Sequence, residues 1–297
     1  MMAKVSILMN GYNSQEYLKE AIDSIYTQTF QDWEIIFIDN CSTDNTKKIV
    51  DSYDKKINYY TTDCTIPLGA ARNFGLQYCD GKYIAFLDTD DIWLKNKLEI
   101  QVKIMDEDKE LQLCYGGVIY IDKDSKEIGK FIPKAHNKNV FVQQLKRYEI
   151  NMQSVIVRNN NMIKINENLR HSPDFDLFMK IASKYKVYVI KDYIVKYRKL
   201  ENSLTSKNID VWWIEMKNTL DDIFLENSKL KEKYAKEYKM AYAKVAYNKA
   251  RYMISIDKIG EARKELSKVK HVSIIYFIIY LISLFPSAFW NYIHKKR

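Results

Sequence analysis

WEIIFID, residues 33–39, is a nearly unbroken apolar run that ends in an acid. Such a run predicts a strand buried on both faces, as strands are in the interior of a parallel sheet. Similar runs and helical patterns alternate around it. We predict further strands at 4–9, 57–60 and 82–87 and helices at 15–27, through Val50 and at 69–79. The alternation indicates an α/β domain with a Rossmann-like, mostly parallel, doubly wound sheet flanked by helices.

Two of these strands end in acids at the same predicted edge of the sheet. Asp39 follows the run at 33–38, and Asp88 follows the run at 82–87. In sheets of this class, ligands bind at the carboxyl ends of the strands. A carboxylate there can accept the imide N–H of uracil or thymine, a hydrogen that cytosine lacks. Taken alone, Asp39 also fits an ordinary loop or cap residue.

The turn DTDD, residues 88–91, places three carboxylates within four positions. Carboxylates this close raise one another's pKa unless a cation lies among them or some of them face water. Either a cation binds here, or the cluster only caps a helix. We expect Asp91 to cap a helix that begins near Trp93.

The composition fits a folded protein with an anionic partner. Its 297 residues, 47% of them hydrophobic, are enough for one sizeable α/β domain plus an appendage. A net charge of +9 suits a nucleotide, a phosphate-bearing lipid or an anionic membrane surface. Four scattered cysteines without a CxxC pair, and a start without a signal-peptide core, predict a reducing cytoplasm and no zinc site.

The C-terminal end has a different character from the rest of the chain. Residues 272–293 carry no charge and are bracketed by basic residues, which predicts a membrane segment. A buried core helix is the alternative. A full crossing would place the basic tail on the outer side, and Pro286 interrupts the helix, so a spanning, a re-entrant and an interfacial anchor all remain open.

The order of motifs along residues 3–206 resembles that of family 2 glycosyltransferases, which use nucleotide-diphosphate sugars and have the GT-A fold. The matching stretches are NGYN at 10–13, QT at 28–29, DNCSTDNT at 39–46, ARNFG at 71–75, GKYIAFLDTDD at 81–91, NENLRHSPDFDLFMKIA at 166–182 and YRKLENSLTS at 197–206. The departures from the family pattern are Asn10 for Pro, Asn40 and Cys41 for Asp and Gly, Pro173 for Glu, and Leu200 for His.

The resemblance implies a role for each of eight residues. Asp90 would hold a divalent metal, Mn²⁺ or Mg²⁺, and Asp174 would be the catalytic base. The implied donor-binding residues are Tyr12, Asn13, Asp39 for the base, Arg72 near the diphosphate, Asp88 on the ribose side, and Arg198, with Ser203 and Thr205 as further hydrogen-bonding candidates. Because Asp174 falls at a predicted helix start, we expect the helix dipole to lower its pKa.

The resemblance further implies a single displacement that inverts the anomeric centre, with no covalent sugar-enzyme intermediate. The expected donor is a UDP-sugar, with thymine and guanine nucleotides left open. The expected acceptor is a hydroxyl of a lipid-linked or cell-surface glycan, as in polysaccharide or cell-envelope biosynthesis, and no nucleic acid partner is expected. The predicted membrane segment would place the protein at the cytoplasmic face of a membrane, as a peripheral, re-entrant or single-span protein.

The corresponding domain organisation has three parts. Residues 1–206 would form the catalytic GT-A domain, and 271–297 the membrane-associated segment. Between them, 207–270 would form a helical extension in which two amphipathic helices break near Gly260.

Two other functions remain open from the residues. A sugar nucleotidyltransferase also combines an α/β sheet with acidic metal ligands, but it needs a Gly-rich, basic loop after the first strand, and NGYNSQEY at 10–17 is not one. A catalytically silent, membrane-bound scaffold of the same fold is the second alternative, suggested by Asn40, Pro173 and Leu200.

Overall fold

The structure, a computed structural model, describes residues 3–134, 140–160, 163–200, 209–286 and 290. The chain divides into an N-terminal unit, residues 1–144 and 149–203, and a C-terminal unit, residues 145–148 and 204–297. The eight residues with predicted site roles all lie in the N-terminal unit.

One mixed sheet runs through the described part of the N-terminal unit. Its strands are β1 Val5–Gly11, β2 Trp33–Asp39, β3 Ile57–Thr61, β4 Tyr83–Phe86, β5 Ile92–Trp93, β6 Leu111–Ile121, β7 Glu127–Phe131, β8 Ile156–Arg158 and β9 Lys186–Arg198. Their order across the sheet is β3-β2-β1-β4-β8-β6-β9-β5, and β7 pairs with β6.

The four strands predicted from the sequence are neighbours, and they run parallel to one another. Gly11 pairs with Asp39, and Asp39 pairs with Thr61, so three of these strands end at the same level. The other half of the sheet is mixed. There β6 and β9 are parallel, whereas β8, β7 and β5 run antiparallel to their neighbours. The mostly parallel arrangement therefore holds for the half that was predicted.

The helices in the first 200 residues of the described chain are α1 Leu18–Tyr26, α2 Thr46–Val50, α3 Leu68–Leu76, α4 Lys97–Glu107, α5 Val140–Lys146 and α6 Pro173–Lys184, with a 3-10 helix at Met152–Ser154. The buried residues Leu18, Ala21, Ile22 and Ile25 recur at helical spacing along α1. They join Phe37 of β2 in one hydrophobic core. This packing holds the loop between β1 and α1 at the carboxyl end of β1.

Helices make up the described part of the C-terminal unit after residue 208. They are α7 Ile209–Glu226, α8 Ser228–Lys233, α9 Ala235–Ser255, α10 Ile259–Val269 and α11 Ile274–Ser283. The predicted break near Gly260 occurs slightly earlier, at 256–258, where Asp257 has a φ of 60°. A small core of Ala250, Ile254, Ala262 and Leu266 joins α9 and α10.

The predicted membrane segment is only partly described. Helix α11 covers ten of its residues, and 287–289 and 291–293 lie outside the described part. None of the helices that the structure describes is both long and apolar enough to span a bilayer.

Candidate functional site

Asp39 is the last residue of β2 and is almost fully buried, with 2% of its surface exposed. One carboxylate oxygen accepts the backbone N–H of Ser42 at 2.8 Å, and the other accepts the hydroxyl of Tyr59. A carboxylate has about four lone-pair positions, so both oxygens keep capacity for a further donor. Tyr59 was not predicted, because its contact depends on β3 lying beside β2.

Tyr12 and Asn13 form the loop that follows β1, beside Asp39. Tyr12 is 55% exposed, so its ring is accessible at the rim of the site. Asn13 has a φ of 50°, a left-handed conformation that Asn tolerates better than most residues. Its N–H donates to the Ser42 hydroxyl at 2.9 Å, and its side-chain oxygen accepts the N–H of Thr43 at 2.8 Å. Asn13 therefore fastens the β1 loop to the β2 loop.

Asn40 shows what replaces the second Asp of the family motif. Its amide nitrogen donates to the carbonyl of Ile66 at 2.8 Å, and its amide oxygen accepts the N–H of Ile66 at 2.9 Å. The Thr62 hydroxyl donates to the same oxygen at 3.1 Å. The replacement thus holds the segment that leads from β3 into α3, a contact that requires both halves of an amide.

Arg72 of α3 pairs with Asp88, which follows β4. The guanidinium Nη2 lies 2.9 Å from Asp88 Oδ1, and Arg72 is 5% exposed. Gln153 makes two hydrogen bonds with the same residue. Its side-chain nitrogen donates to Asp88 Oδ2, and its side-chain oxygen accepts the backbone N–H of Asp88 at 2.8 Å. Sequence reasoning missed Gln153, which lies 65 positions from Asp88 and carries no motif. Arg72 and Gln153 together fix the orientation of the Asp88 carboxylate.

Asp90 is half-buried in the turn that follows β4. Burial and the charge of Asp88 raise its pKa to about 6. Within the described ranges, no three His, Cys, Asp or Glu side chains are grouped to hold a metal ion. Mg²⁺ is commonly held by one or two carboxylates, with substrate phosphates and waters completing its shell. Asp90, with Asp88 beside it, fits a metal of that kind, since a divalent cation would offset the repulsion that raises its pKa.

Asp91 does not cap a helix, contrary to the prediction. Residues 92–93 form β5, and the next helix begins at Lys97 after Asn96. Asp91 is 1% exposed, and its Oδ1 accepts the backbone N–H of Arg198 at 2.7 Å. The physical reason is the pairing of β5 with β9, which brings the end of β9 against the turn.

Arg198 closes the other side of this turn, and its side chain is fully buried. Its Nε donates to the carbonyl oxygen of Asp90 at 2.8 Å, and Nη2 lies 2.6 Å from a carboxylate oxygen of Glu20. Nη1 donates to the carbonyl of Asp122 at 3.0 Å and to the hydroxyl of Ser125 at 2.9 Å. Protein acceptors thus engage all three guanidinium nitrogens. This placement does not favour direct binding of the donor by Arg198, which the resemblance implied.

Asp174 lies in the first turn of α6, after Ser172 and Pro173. Burial raises its pKa, although the charges of Arg72 and His171 and the backbone N–H groups act in the opposite direction. The expectation that the helix dipole would leave this pKa lowered is therefore wrong. A carboxyl group with a raised pKa is suited to accepting a proton near neutral pH.

The next acid along α6 has a different environment. Asp176 is 4% exposed and forms an ion pair with Lys180 at 2.8 Å. It lines a cavity of about 590 Å³ between α6 and residues 163–168. None of the eight predicted residues lines that cavity, so it is separate from the candidate site.

Two contacts bring the predicted residues into one region. The Thr89 hydroxyl donates to the Ser14 hydroxyl at 3.0 Å, which joins the DTDD turn to the β1 loop. Arg72 pairs with Asp88, and its charge also acts on Asp174, where it opposes the rise in pKa that burial causes. These contacts connect one region at the carboxyl edge of the sheet. Its residues are Tyr12 and Asn13 in the β1 loop, Asp39 at the end of β2, Arg72 within α3, Asp88 and Asp90 in the turn after β4, and Asp174 in the first turn of α6. Ser203 and Thr205 lie outside the described residues.

The sequence is similar to those of known glycosyltransferases. Residues 6–164 match the family described as Glycosyl transferase family 2. A relative in Escherichia coli, the UDP-Glc:alpha-D-GlcNAc-diphosphoundecaprenol beta-1,3-glucosyltransferase WfgD, is 31% identical over 228 residues, which are 75% of this chain and 87% of the relative.

Solved structures resemble the fold. TarS 1–349 of S. aureus in complex with UDP-GlcNAc has a TM-score of 0.67 at 20% identity, covering 91% of this chain and 81% of that chain. The mannosyltransferase PcManGT of Pyrobaculum calidifontis, in complex with GDP-Man and Mn²⁺, has a TM-score of 0.56 at 13% identity, covering 98% and 84% of the two chains. These likenesses confirm the predicted GT-A fold class.

Proposed function

Because the chain belongs to glycosyltransferase family 2, we propose that it transfers a sugar, with inversion, from a UDP-sugar to a hydroxyl of a lipid-linked or cell-surface glycan. The observation that carries the proposal is the position of Arg72. It pairs with Asp88 at the strand edge, and its charge acts on Asp174 at the start of α6. Arg72 therefore pairs with a residue assigned to the donor site and also acts electrostatically on the residue assigned as the proton acceptor.

The nucleoside is assigned to the loops after β1 and β2. Asp39 accepts the imide N–H of uracil with its remaining lone pairs, and the exposed ring of Tyr12 stacks on the base. Asn13 keeps the two loops together. The UDP-sugar named as the donor of WfgD supports uracil.

The diphosphate is assigned to the DTDD turn and Arg72. Asp90 would hold Mn²⁺ or Mg²⁺, with Asp88 beside it on the ribose side. A bound divalent ion supplies charge neutralisation at the departing diphosphate. The Mn²⁺ in the PcManGT complex supports a metal of this type. Arg72 adds a fixed positive charge at the same edge.

Asp174 is assigned as the general base. Its carboxylate takes the proton of the acceptor hydroxyl while that oxygen bonds to the anomeric carbon. The bond from the anomeric carbon to the diphosphate oxygen breaks on the opposite face, and the diphosphate leaves with the bonding electrons. The proton remains on Asp174, and the anomeric configuration is inverted without a covalent intermediate.

The acceptor proposal rests on the relative. WfgD acts on a sugar linked to diphosphoundecaprenol, which is a lipid. An acceptor of this class would place the protein peripherally at the cytoplasmic face of a membrane. We assign catalysis to residues 1–206, a helical extension to 207–270 and membrane association to 271–297.

The test is turnover of a UDP-sugar with a GlcNAc-diphospholipid acceptor in the presence of Mn²⁺. We expect Asp90→Asn and Asp174→Asn each to lower kcat by about 10²–10⁴-fold, since each removes a charge that acts on the reacting groups. Asp176→Asn is the matched control in α6, because its carboxylate pairs with Lys180, and it should retain activity within a few fold.

Three results would overturn the proposal. Full activity of Asp174→Asn would remove the assigned base. An NMR spectrum that shows retained anomeric configuration in the product would exclude a single displacement. Nucleotide binding without turnover on any acceptor would favour the silent scaffold instead.

A further inference from the structure

Helix α11 exposes a continuous apolar face. Large apolar side chains along it and just beyond its end are 40% to 69% exposed. Those on one arc of the helix are Ile274, Phe277, Ile278, Leu281, Leu284 and Phe285. Their spacing of three and four residues places them on one side of a helix. Exposed apolar groups of this extent mark interaction sites rather than ordinary surface.

The opposite face of α11 already has a partner. Tyr276 and Ser283, seven residues apart, are buried. Ile279 and Tyr280 are partly buried against the core that Ala250 and Leu266 help to form. The helix is therefore held in the C-terminal unit by one face, and the exposed arc is directed away from that core.

The C-terminal end of α11 is capped by a side chain from α10. Arg263 donates to the carbonyl oxygens of Ser283, Leu284 and Phe285 at 2.5, 3.2 and 3.3 Å. The last carbonyls of a helix have no partner within the helix, and in lipid an unsatisfied carbonyl is costly. This cap makes the end of α11 compatible with a nonaqueous environment.

Charge identifies the occupant of the exposed face. Residues 271–286 have no charged side chain at neutral pH, whereas 263–270 contain four basic residues and one acid. Lys295, Lys296 and Arg297 follow in the sequence. Basic residues next to an apolar helix face favour an anionic lipid surface. A second copy would bring like charges together at a symmetric interface.

The length of α11 excludes a crossing of the bilayer by this helix. Its ten residues rise about 15 Å, half of the roughly 30 Å of a bilayer's hydrocarbon core. We propose that α11 lies in the plane of an anionic bilayer, with the Ile274–Phe285 arc in the acyl boundary and the neighbouring lysines at the headgroups. This deepens the proposed function and rests on it, since a lipid-linked acceptor would be met at that surface.

The test is binding of the full chain to vesicles without donor or acceptor, so it can fail while glycosyl transfer stands. Vesicles of phosphatidylcholine with one third phosphatidylglycerol are compared with pure phosphatidylcholine by co-sedimentation. The double variant Ile278→Glu/Leu281→Glu should bind about 100-fold more weakly, because two apolar contacts with lipid are lost. Leu225→Glu on α7, which is 82% exposed, is the matched control and should bind within twofold of wild type.

Three results would overturn the proposal. If the double variant bound vesicles like wild type, the exposed arc of α11 would not be the membrane-binding face. If wild type bound both vesicle types equally, anionic lipid would not be the preferred partner. A wild-type dimer that becomes a monomer in the double variant, with unchanged vesicle binding, would assign the face to a second copy. Unchanged circular dichroism of the variant shows that its fold is intact.

The orientation has its own measurement. Nitroxide labels at Ile274→Cys, Ile278→Cys and Phe285→Cys, in a chain carrying Cys41→Ser and Cys64→Ser, report depth in the bilayer by power-saturation EPR. A helix in the membrane plane gives the three labels equal depths. Depths that increase steadily from 274 to 285 would contradict the in-plane orientation.

Discussion

At the scale of single residues, burial outweighs the local helix field at Asp174. A helix N-terminus stabilises a carboxylate by about 0.3–1 kcal/mol, less than one pKa unit. Desolvation of a buried carboxyl group shifts its pKa by up to about 3–5 units in the other direction. The first effect is visible in the sequence as a position in a helix. The second depends on what packs around α6, and it decides the sign.

Arg198 illustrates a second residue whose role its motif did not reveal. Its guanidinium donates to the carbonyl oxygen of Asp90, and its backbone N–H donates to the carboxylate of Asp91. Arg158 makes a similar set of contacts elsewhere in the unit. Its nitrogens donate to the carbonyls of Met105, Asp108 and Leu111. The two arginines are therefore comparable as structural groups, and only one of them touches the proposed metal turn.

We predict that Arg198→Lys and Arg158→Lys lower the melting temperature by similar amounts but differ in metal binding. Lysine cannot reproduce the fork of contacts that a guanidinium makes. Only Arg198→Lys should weaken binding of Mn²⁺ and UDP, by about 10–100-fold, because it loosens the support of a metal ligand. Isothermal titration calorimetry at a temperature where both variants are folded makes the comparison. Equal losses of Mn²⁺ and UDP binding in the two variants would show that Arg198 supports the fold in general rather than the metal turn.

At the scale of elements, local patterns predicted β1 to β4 and the helices between them because each pattern is contained within one segment. The pairing of β5 with β9 joins residues 92–93 to 195–196, and no local pattern encodes it. The errors at the site have the same origin. Asp91 was assigned to a helix cap because its partner, Arg198, is 107 positions away, and Gln153 was missed for a similar reason.

The glycine of ARNFG shows what a local motif does encode. An added Cβ at Gly75 would lie 2.3 Å from Leu8 Cδ1 and 2.7 Å from Ile38 Cγ1. Gly75 therefore allows α3 to approach β1 and β2 closely, and α3 carries Arg72. Gly260 is also helical, in α10, but no atom of the described residues lies within 4 Å of its added Cβ.

We predict opposite effects for alanine at these two glycines. Gly75→Ala should destabilise the fold by about 1–3 kcal/mol through overpacking. Gly260→Ala should stabilise it by about 0.5–1 kcal/mol, because alanine has the higher helix propensity and meets no obstacle. Urea unfolding monitored by circular dichroism measures both. A neutral Gly75→Ala would show that α3 can move away from the sheet without cost.

At the scale of the whole molecule, carboxylates act on stability in two opposite ways. Asp106 receives Lys4 and Lys82 at 2.6 and 2.5 Å and the Tyr83 hydroxyl at 2.8 Å, which hold its pKa below its usual range. Its charge stabilises the fold. Asp174 has a pKa above its usual range because its surroundings partly desolvate the carboxylate and so disfavour its charged form. Its charge therefore costs stability, as is common for groups that are placed for chemistry.

Substitution of these two carboxylates should therefore change the free energy of unfolding in opposite directions and over different pH ranges. Asp106→Asn should lower the free energy of unfolding at pH 7 by about 1–2 kcal/mol. A depressed pKa contributes its full stability above the unfolded value of about 3.9, so this deficit should persist at pH 5 and begin to shrink only as the pH falls below about 4, toward the lowered pKa of Asp106. Asp174→Asn should raise the free energy of unfolding at pH 7 to 8. That gain should shrink as the pH falls through the raised pKa of Asp174, because the wild-type group then becomes neutral. Urea titrations of both variants from pH 4 to 8, in EDTA and without nucleotide, measure the two windows. A gain for Asp174→Asn that does not depend on pH would mean that its carboxylate carries no electrostatic cost in the fold.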